Sequence, residues 1–456
     1  MFYDMIKFLP KNLIALAKSL SQPLYVVGGF CRNFLIDQTI SNDIDLSSSV
    51  CIDEISEQLE QFGFKTVTEI KRTGTLIFFD GKRTYEFTNF RKEEYVGGEH
   101  TPYKTTLTKD IFEDALRRDF KCNAVYYDIK NEKFVDPLGG IEDIKNRVLD
   151  TVTDPKKVFC HDGLRLMRLA RFVGELDFTP TKEVLLGAKT YAENIKEISA
   201  ERIFAELKKI LVSDFSYPFS SKEGHYKGLK ILEKTRVLDL ILPELTEGRN
   251  MAQRADFHLY DVLEHSLRTV LYAEPSIRLS ALLHDVGKPY CMNRDGCYHL
   301  HFKEGERIAD DILRRLKADK KTREFVKFLV REHMVDLDLK MKEKKIRRYI
   351  VKNHKRFSSL MDIKQADFRA SLEKHEIAPT VLKWQGIYCK MNLDGTPFSL
   401  KDLKISAQDL LELNFKEKEI GKELEKLFEL AVENPEKNNY QALIKIAEKD
   451  AKKLIN

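Results

Sequence analysis

The sequence predicts a small α+β head followed by a long, almost wholly helical body, and three observations carry that prediction. Four apolar runs in the first 150 residues, "LYVVGG", "TLIFFDG", "TYEFTNF" and "NAVYYDI", are rich in β-branched and aromatic residues. Turn-forming residues bound them, as expected for strands. Helical runs such as "IDEISEQLEQFG" lie between these strands, so the head mixes both kinds of element. Beyond "DPLGG" the apolar residues recur at helical spacing almost to the end: Leu164, Met167, Ala170 and Gly174, then Ile203, Leu207, Ile210 and Leu211. Breaks at "SDFSYPFSSKEG", "DLILPELTEG" and "KMNLDGTPFS" mark boundaries within the body, and the polar, glycine-containing "RKEEYVGGEHTPYKTT" is expected to be a mobile loop in the head.

Composition narrows the class. A chain of 456 residues has room for several domains, each with its own core. Hydrophobic residues at 43% and charged residues at 33% suit a soluble, helix-rich globular protein rather than a disordered one. The seven cysteines, Cys31, Cys51, Cys122, Cys160, Cys291, Cys297 and Cys389, include no CxxC pair. That argues against a zinc ribbon or disulfide framework and for a reducing compartment. The opening "MFYDMIKFLPKNLIALAKSL" is interrupted by Lys7, Lys11 and Lys18, which reads as an amphipathic helix and not as a signal peptide. No later run is long enough to span a membrane, so the expectation is a cytoplasmic protein with no membrane partner. The net charge of +5 is mild but uneven: between Arg314 and Arg356, 17 Lys/Arg stand against 6 Asp/Glu. Such a stretch is either a set of solvated helix faces or a phosphate-facing surface on which residues such as Lys344 and Arg347 would lie.

One stretch of the head carries chemistry: "LYVVGGFCRNFLIDQTISNDIDLSSS". Gly28 and Gly29 follow a buried strand and let backbone N–H groups approach a ligand closely. A helix starting near Phe30 aims its positive end at the same place, and Arg32 adds a fixed cation. If "NDIDLSS" is a strand, Asp43 and Asp45 share one face and Ile44 takes the other. Two carboxylates so placed repel each other unless a cation sits between them. Hard oxygen ligands suit Mg²⁺, which takes its remaining ligands from water and substrate phosphates. An isolated DxD is commonplace on turns; the strand, the double glycine, Arg32 and the paired aspartates together point to phosphoryl chemistry.

With these residues the sequence resembles the class II nucleotidyltransferase family that contains bacterial CCA-adding tRNA enzymes and bacterial poly(A) polymerases. The likeness runs in order along nearly the whole chain. "ALRRDFKCNAVYYD" is similar to the family's RRDF-x-x-NA segment and "FVDPLGGIEDIKNRVL" to its DPxGG block. "HDGLRLMRLARF" resembles the base-reading motif, "SAERIFAELKKIL" the ERI-x-x-EL helix, and "LKISAQDLLELNFKEKEIGKELEKLFELAVENPEKNN" the tail of the CCA-adding enzymes. The resemblance implies that Asp162 and Arg165 act as a protein template for the incoming base, with Arg168 contacting base or phosphate. Helical spacing places Asp162, Arg165 and Arg168 on one slowly winding stripe, with Arg171 half a turn around from Asp162. Arg118 would reach the triphosphate or ribose, and Asp119 and Asn123 would fix the sugar. The chain departs from the family pattern at three positions. Asn33 stands where relatives have Asp, His161 where they have Glu, and His100 where they often have Arg.

A second ordered set, "DVLEHSLRTV", "ALLHDVGKP", "YHLHFKEGERIADDIL", "LVREHMVDL" and "QADFRASL", resembles the HD superfamily of metal-dependent phosphohydrolases. The likeness implies that His265, His284, Asp285 and Asp367 hold a first metal and that His301 and His333 serve a second. Imidazole with carboxylate suits a divalent transition metal without naming it. His299 competes with His301 as a ligand, and Gly305, four residues on, favours His301.

The fold expected is an α+β nucleotidyltransferase head over residues 1–150, an all-α neck over 151–250, an HD domain over 251–370 and a helical tRNA-binding tail over 371–456. The expected function is template-independent addition of CCA to tRNA 3′ ends from CTP and ATP, with Mg²⁺ held by Asp43 and Asp45. Poly(A) polymerase or CC-only addition is the alternative within the class. From another class comes an HD phosphohydrolase acting on cyclic or terminal phosphates, with the head as an RNA-binding module.

Overall fold

The computed structural model describes residues 4–95 and 102–455. The chain divides into two compact units, Met1–Glu247 with Ile312–Asp319, and Gly248–Asp311 with Lys320–Asn456.

The first unit is built on a seven-stranded sheet. In chain order its strands are β1 (Tyr25–Val27), β2 (Asp43–Ser48), β3 (Lys65–Ile70), β4 (Thr75–Phe79) and β5 (Thr84–Asn89); a separate hairpin, β6 (Arg91–Glu94) and β7 (Lys104–Leu107), then interrupts the order before β8 (Tyr126–Asp128) and β9 (Lys133–Val135). Across the sheet they run β3-β4-β5-β2-β1-β8-β9. Every pairing is antiparallel except that of β2 with β5, which sets Asp43 beside Thr84 and Asp45 beside Glu86. Alternation decides what each face does. In β2 the apolar Ile44 and Leu46 are buried while Asp43 and Asp45 are exposed, and in β5 Tyr85 and Phe87 are buried while Glu86 is exposed. Under the sheet Phe64, Phe78 and Tyr85 pack ring on ring, with centroids 5.0–5.2 Å apart.

Four expected strands are present, and the aspartates do lie on a strand. The run expected to be a loop differs: Arg91–Glu94 pairs with Lys104–Leu107 in register from Arg91 opposite Leu107 to Glu94 opposite Lys104. Its charged, alternating residues hide a hairpin that buries little. Residues 96–101, which include His100, lie outside the described residues. Strand β3 also escapes a reading by apolar pattern, because as an edge strand it is exposed at nearly every position.

Behind the sheet the unit becomes helical. Helix Leu164–Leu176 buries Leu164, Met167, Ala170 and Gly174 as its spacing predicts. It packs closely on helix Gly224–Lys234, where a side chain at Gly174 would come within 2.7 Å of the Gly224 carbonyl oxygen. Helix Ala200–Leu211 contributes Ile203, Leu207, Ile210 and Leu211 to the same core.

The second unit is helical among the described residues. Its first half carries helices Val262–Tyr272, Arg278–Leu283, Gly287–Asp295, Lys320–Glu332 and Phe357–Leu372. Its C-terminal part has its own core, centred on Leu410, Leu427, Leu443 and Ala447. The basic stretch needs one correction. In helix Glu343–Lys352, Ile346, Arg347 and Ile350 are buried, so Arg347 faces inward rather than toward a phosphate surface. Its guanidinium is held by Asp394, Thr396 and Glu343. Lys344, Lys345 and Arg348 remain exposed. All seven cysteines are free, and no helix among the described residues is long and apolar enough to cross a membrane.

Candidate active site and candidate metal centre

The head's cleft begins at the end of β1. Gly28 turns the chain with φ +77° and ψ −137°, a conformation open to glycine alone, and helix Gly29–Asp37 starts at once. A Cβ at Gly28 would stand 3.0 Å from the Asp45 Oδ2, close enough that the carboxylate would have to shift by a few tenths of an ångström to admit it. Asp43, Asp45 and Glu86 sit on one face of the sheet. Removal from water at the cleft comes first among the causes that raise the Asp45 carboxyl above its ordinary range; the charges of Glu86 and Asp43 add to it, and Arg118 opposes them. Carboxylates gathered so are relieved by a divalent cation, and their oxygen donors fit Mg²⁺. Glu86 is a residue that sequence reading misses. Its only signal is the parallel pairing that sets it opposite Asp45.

All ten residues expected to hold nucleotide line one cleft of about 510 Å³: Gly28, Gly29, Arg32, Arg118, Asp119, Asn123, Asp162, Arg165, Arg168 and Arg171. Asp45 is with them, while Asp43 is not part of the lining. Eight arginines against five carboxylates make the lining cationic, as a triphosphate site requires. Arg91, Glu93, Tyr95, Arg117, Arg202 and Tyr217 are among the other residues that line it and that sequence reading does not single out, although Arg117 is the first arginine of "RRDF".

Arg32 is buried, at 2% exposure. It donates to Asn33 Oδ1 from Nε at 3.0 Å and from Nη2 at 2.8 Å, to Asn123 Oδ1 at 2.6 Å and to the Tyr217 hydroxyl at 3.2 Å. The Phe172 and Tyr217 rings lie 5.1 and 5.7 Å from its Cζ. These hydrogen-bond partners are all neutral, so Asn33 orients the guanidinium without cancelling its charge. Asp119 accepts from Arg168, with Nε at 2.6 Å, and from Asn123 at 3.0 Å. Burial alone would raise its carboxyl, but the Arg168 guanidinium, the Asn123 hydrogen bond and the Arg165 charge together outweigh that and hold it well below the usual range. Arg118 donates to Asp114 and the Tyr126 hydroxyl. Arg171 pairs with Glu206 at 3.2 Å.

The pair expected to read the base departs from the expected stripe. Asp162 is not helical: it is extended, φ −148° and ψ 106°, between helices Pro155–His161 and Leu164–Leu176. Its Oδ1 accepts from the Leu164 N–H at 2.9 Å, and its Oδ2 stands 3.8 Å from Arg165 Nε. The two groups are neighbours because a turn brings them together, not because of helical spacing.

The second unit holds the histidine–aspartate set, and each expected ligand falls in one of two adjoining groups. His265, His284 and Asp367 converge in one, Asp285, His301 and His333 in the other. Asp285 joins them: its Oδ2 lies 3.2 Å from His284 Nε2 and 3.4 Å from His265 Nε2, and its Oδ1 lies 3.3 Å from His301 Nε2. His299 is exposed and outside both groups. The second-group helix can approach because Gly287 and Gly305 meet: a Cβ at Gly287 would fall 2.6 Å from the Gly305 nitrogen.

The donor chemistry fits a metal. His284, His301 and His333 direct Nδ1 at the carbonyls of Ala281, Tyr298 and Val330, at 2.8–2.9 Å. That contact fixes the tautomer with a lone pair on Nε2, and Nε2 is the atom each turns toward its neighbours. The Nε2 atoms of His301 and His333 face each other at 3.3 Å, a repulsive contact that a shared cation reverses. Lys288 Nζ stands 2.6 Å from Asp285 Oδ2 and adds a fixed positive charge beside the groups. A cavity of about 680 Å³ opens beside the groups, walled by Phe257, Tyr298, Phe302 and Phe368, with Lys288 and Lys364 at its polar end.

Comparison with known proteins follows the same division. The poly A polymerase head domain matches residues 24–150, the probable RNA and SrmB-binding site of polymerase A matches 177–248, and the HD domain matches 262–367. The chain thus carries a poly A polymerase head domain and an HD domain. A CCA-adding enzyme of Geobacillus sp. (strain WCH70) is 35% identical over 240 residues, 53% of this chain and 55% of that one. An A-adding tRNA nucleotidyltransferase of Deinococcus radiodurans is 33% identical over 282 residues, 58% of this chain and 62% of that one. The chain thus spans about half the length of the curated relatives it matches. The fold extends further: the crystal structure of the Bacillus stearothermophilus CCA-adding enzyme in complex with CTP superposes with a TM-score of 0.65, covering 98% of this chain and 99% of that one at 19% identity.

Proposed function

We propose that this protein adds nucleotides without a template strand to the 3′ ends of tRNA, building CCA from CTP and ATP. The observation that carries the reading is one cationic cleft in which Asp45 lies against a Gly28 turn and the Asp162–Arg165 pair lines the wall. Arg32, Arg118 and Arg168 hold the triphosphate and sugar. Asp162 accepts from an exocyclic amine while Arg165 donates to the adjoining ring nitrogen, a pattern that cytosine and adenine share and that uracil and guanine invert. Asp43 and Asp45, with Glu86 beside them, hold Mg²⁺. When bound it supplies activation of the 3′-hydroxyl and charge neutralisation for in-line displacement of pyrophosphate. The helical neck over 151–250 and the tail over 371–456 grip the RNA. The relatives named CCA-adding support the full triplet; the A-adding relative keeps single-nucleotide addition as an outcome to test.

The joined histidine–aspartate groups favour a second activity in the HD domain, hydrolysis of a cyclic or terminal phosphate. A divalent transition metal held there would supply an activated water.

The deciding experiment gives the protein tRNA lacking its 3′ end with each nucleotide singly and in pairs, then sequences the products. CCA from CTP and ATP supports the reading. CC from CTP alone with no later A, A alone, or a long A tract replaces it with a CC-only enzyme, an A-adding enzyme or a poly(A) polymerase respectively.

A further inference from the structure

We propose that Tyr95, just beyond β6, is a positioning residue that sets the plane of the Arg165 guanidinium and thereby the choice of base; this rests on the template reading given above. Arg165 is buried, at 6% exposure. Its Nη2 donates to the Arg117 carbonyl at 2.6 Å and its Nη1 to the Val158 carbonyl at 3.4 Å. Those bonds fix how far the side chain reaches. With Asp162 Oδ2 3.8 Å from Nε, they engage the guanidinium along its N–H edge, and a planar donor must also hold its plane to meet a base edge.

The Tyr95 ring supplies a contact of another kind, with the guanidinium carbon over its face. Its centroid lies 5.8 Å from Arg165 Cζ, within reach of a cation–π attraction. The ring is itself fixed at two points. It stacks on the His161 imidazole, centroids 5.3 Å apart and planes 12° from parallel. Its hydroxyl donates to Glu93 at 2.5 Å, and Glu93 is paired with Arg91 at 2.7 Å and stands 3.6 Å from Arg117. His161 directly precedes Asp162. One ring therefore touches Arg165 itself and the residue just before Asp162.

The arrangement accounts for His161. A carboxylate at that position could orient Arg165 by charge; an imidazole cannot. Burial first, then the positive charges of Arg165 and Lys157, lower the imidazole's pKa, which favours the neutral ring that a stack requires. In this chain an aromatic stack fills the place of an ion pair.

The test compares the parent with Tyr95→Phe, Tyr95→Ala, Arg165→Ala and the Tyr95→Ala/Arg165→Ala double variant. The measurement is kcat/KM for CTP, ATP, UTP and GTP on one tRNA lacking its 3′ end. Tyr95→Ala should lower the preference for CTP and ATP over UTP and GTP about fivefold to tenfold, the scale of a lost cation–π contact. Tyr95→Phe, which keeps the ring and its stack on His161 but loses the bond to Glu93, should retain most of that preference even where it lowers the melting temperature. The double variant should be no less selective than Arg165→Ala alone, because Tyr95 acts through that arginine. Equal slowing with all four nucleotides, or losses that add in the double variant, overturns the proposal while the template reading stands. A parent with no preference for CTP and ATP removes the template reading itself, and this proposal with it.

Discussion

At the scale of single residues, Gly28 shows how closely the cleft is built. Its backbone occupies a conformation available to glycine, and Asp45 occupies the space a side chain would take. Gly28→Ala therefore carries two penalties of different kinds. The strained backbone should cost about 1–3 kcal/mol of stability. The Cβ should also push the Asp45 carboxylate away, because the two would otherwise stand 3.0 Å apart. The expected outcome is a lower melting temperature together with nucleotide addition that needs more Mg²⁺ to reach half its maximal rate. A variant that melts earlier but keeps the parent's Mg²⁺ dependence would show that Asp45 does not depend on this turn. Arg32 illustrates the complementary case. Asn33 gives it two hydrogen bonds and no charge, so a buried cation remains to attract a polyphosphate.

Elements explain why parts of the site could be read from sequence and others could not. The double glycine after β1 and the two aspartates of β2 are local patterns, and period-two alternation is enough to put the carboxylates on one face. Glu86 reaches the same face through the parallel pairing of β2 with β5, which joins segments some forty residues apart and leaves no local trace. Helical spacing is the wrong local reason for setting Asp162 beside Arg165: the helix stops before Asp162 and restarts after it. The histidines were legible in order, but the bridging position of Asp285 between two groups exists only in the folded unit. Helix Glu343–Lys352 makes the same point in the basic stretch. Charge counting treats Lys344, Lys345, Arg347 and Arg348 alike, whereas the helix buries Arg347 and exposes the others. Arg347→Ala should cost roughly 2–3 kcal/mol, since Asp394 and Glu343 lose a buried partner but keep some water. Its salt dependence of tRNA binding should stay as in the parent. Lys344→Glu with Lys345→Glu should do the reverse, weakening binding and flattening its dependence on salt at unchanged stability. Binding titrations across a salt series beside thermal melts separate the two; a flattened slope in Arg347→Ala would contradict the buried assignment.

Across the whole molecule, the two sets of chemistry share no side chain and lie in different compact units. The nucleotide cleft is lined by residues between Gly28 and Tyr217, the histidine–aspartate cavity by residues between Gln253 and Thr380. The metals each would hold also differ, carboxylate oxygens in one and imidazole nitrogens with carboxylates in the other. The two activities should therefore be separable by mutation and by metal. Asp45→Asn should abolish nucleotide addition and leave phosphate-ester hydrolysis at the parent rate. Asp285→Asn keeps the residue's volume but removes the charge that faces both histidine groups; it should abolish hydrolysis and spare addition. Stripping the protein with a chelator should remove both activities. Mg²⁺ should then restore addition, while Mn²⁺, Co²⁺ or Ni²⁺ should be needed to restore hydrolysis. The decisive assay measures both reactions on each variant: tRNA extension from CTP and ATP, and phosphate release from a phosphate ester. If Asp285→Asn slows extension as much as Asp45→Asn does, the two sites are not independent. If phosphate release is unchanged in Asp285→Asn under every metal, the histidine groups hold the fold of the second unit together and catalyse nothing.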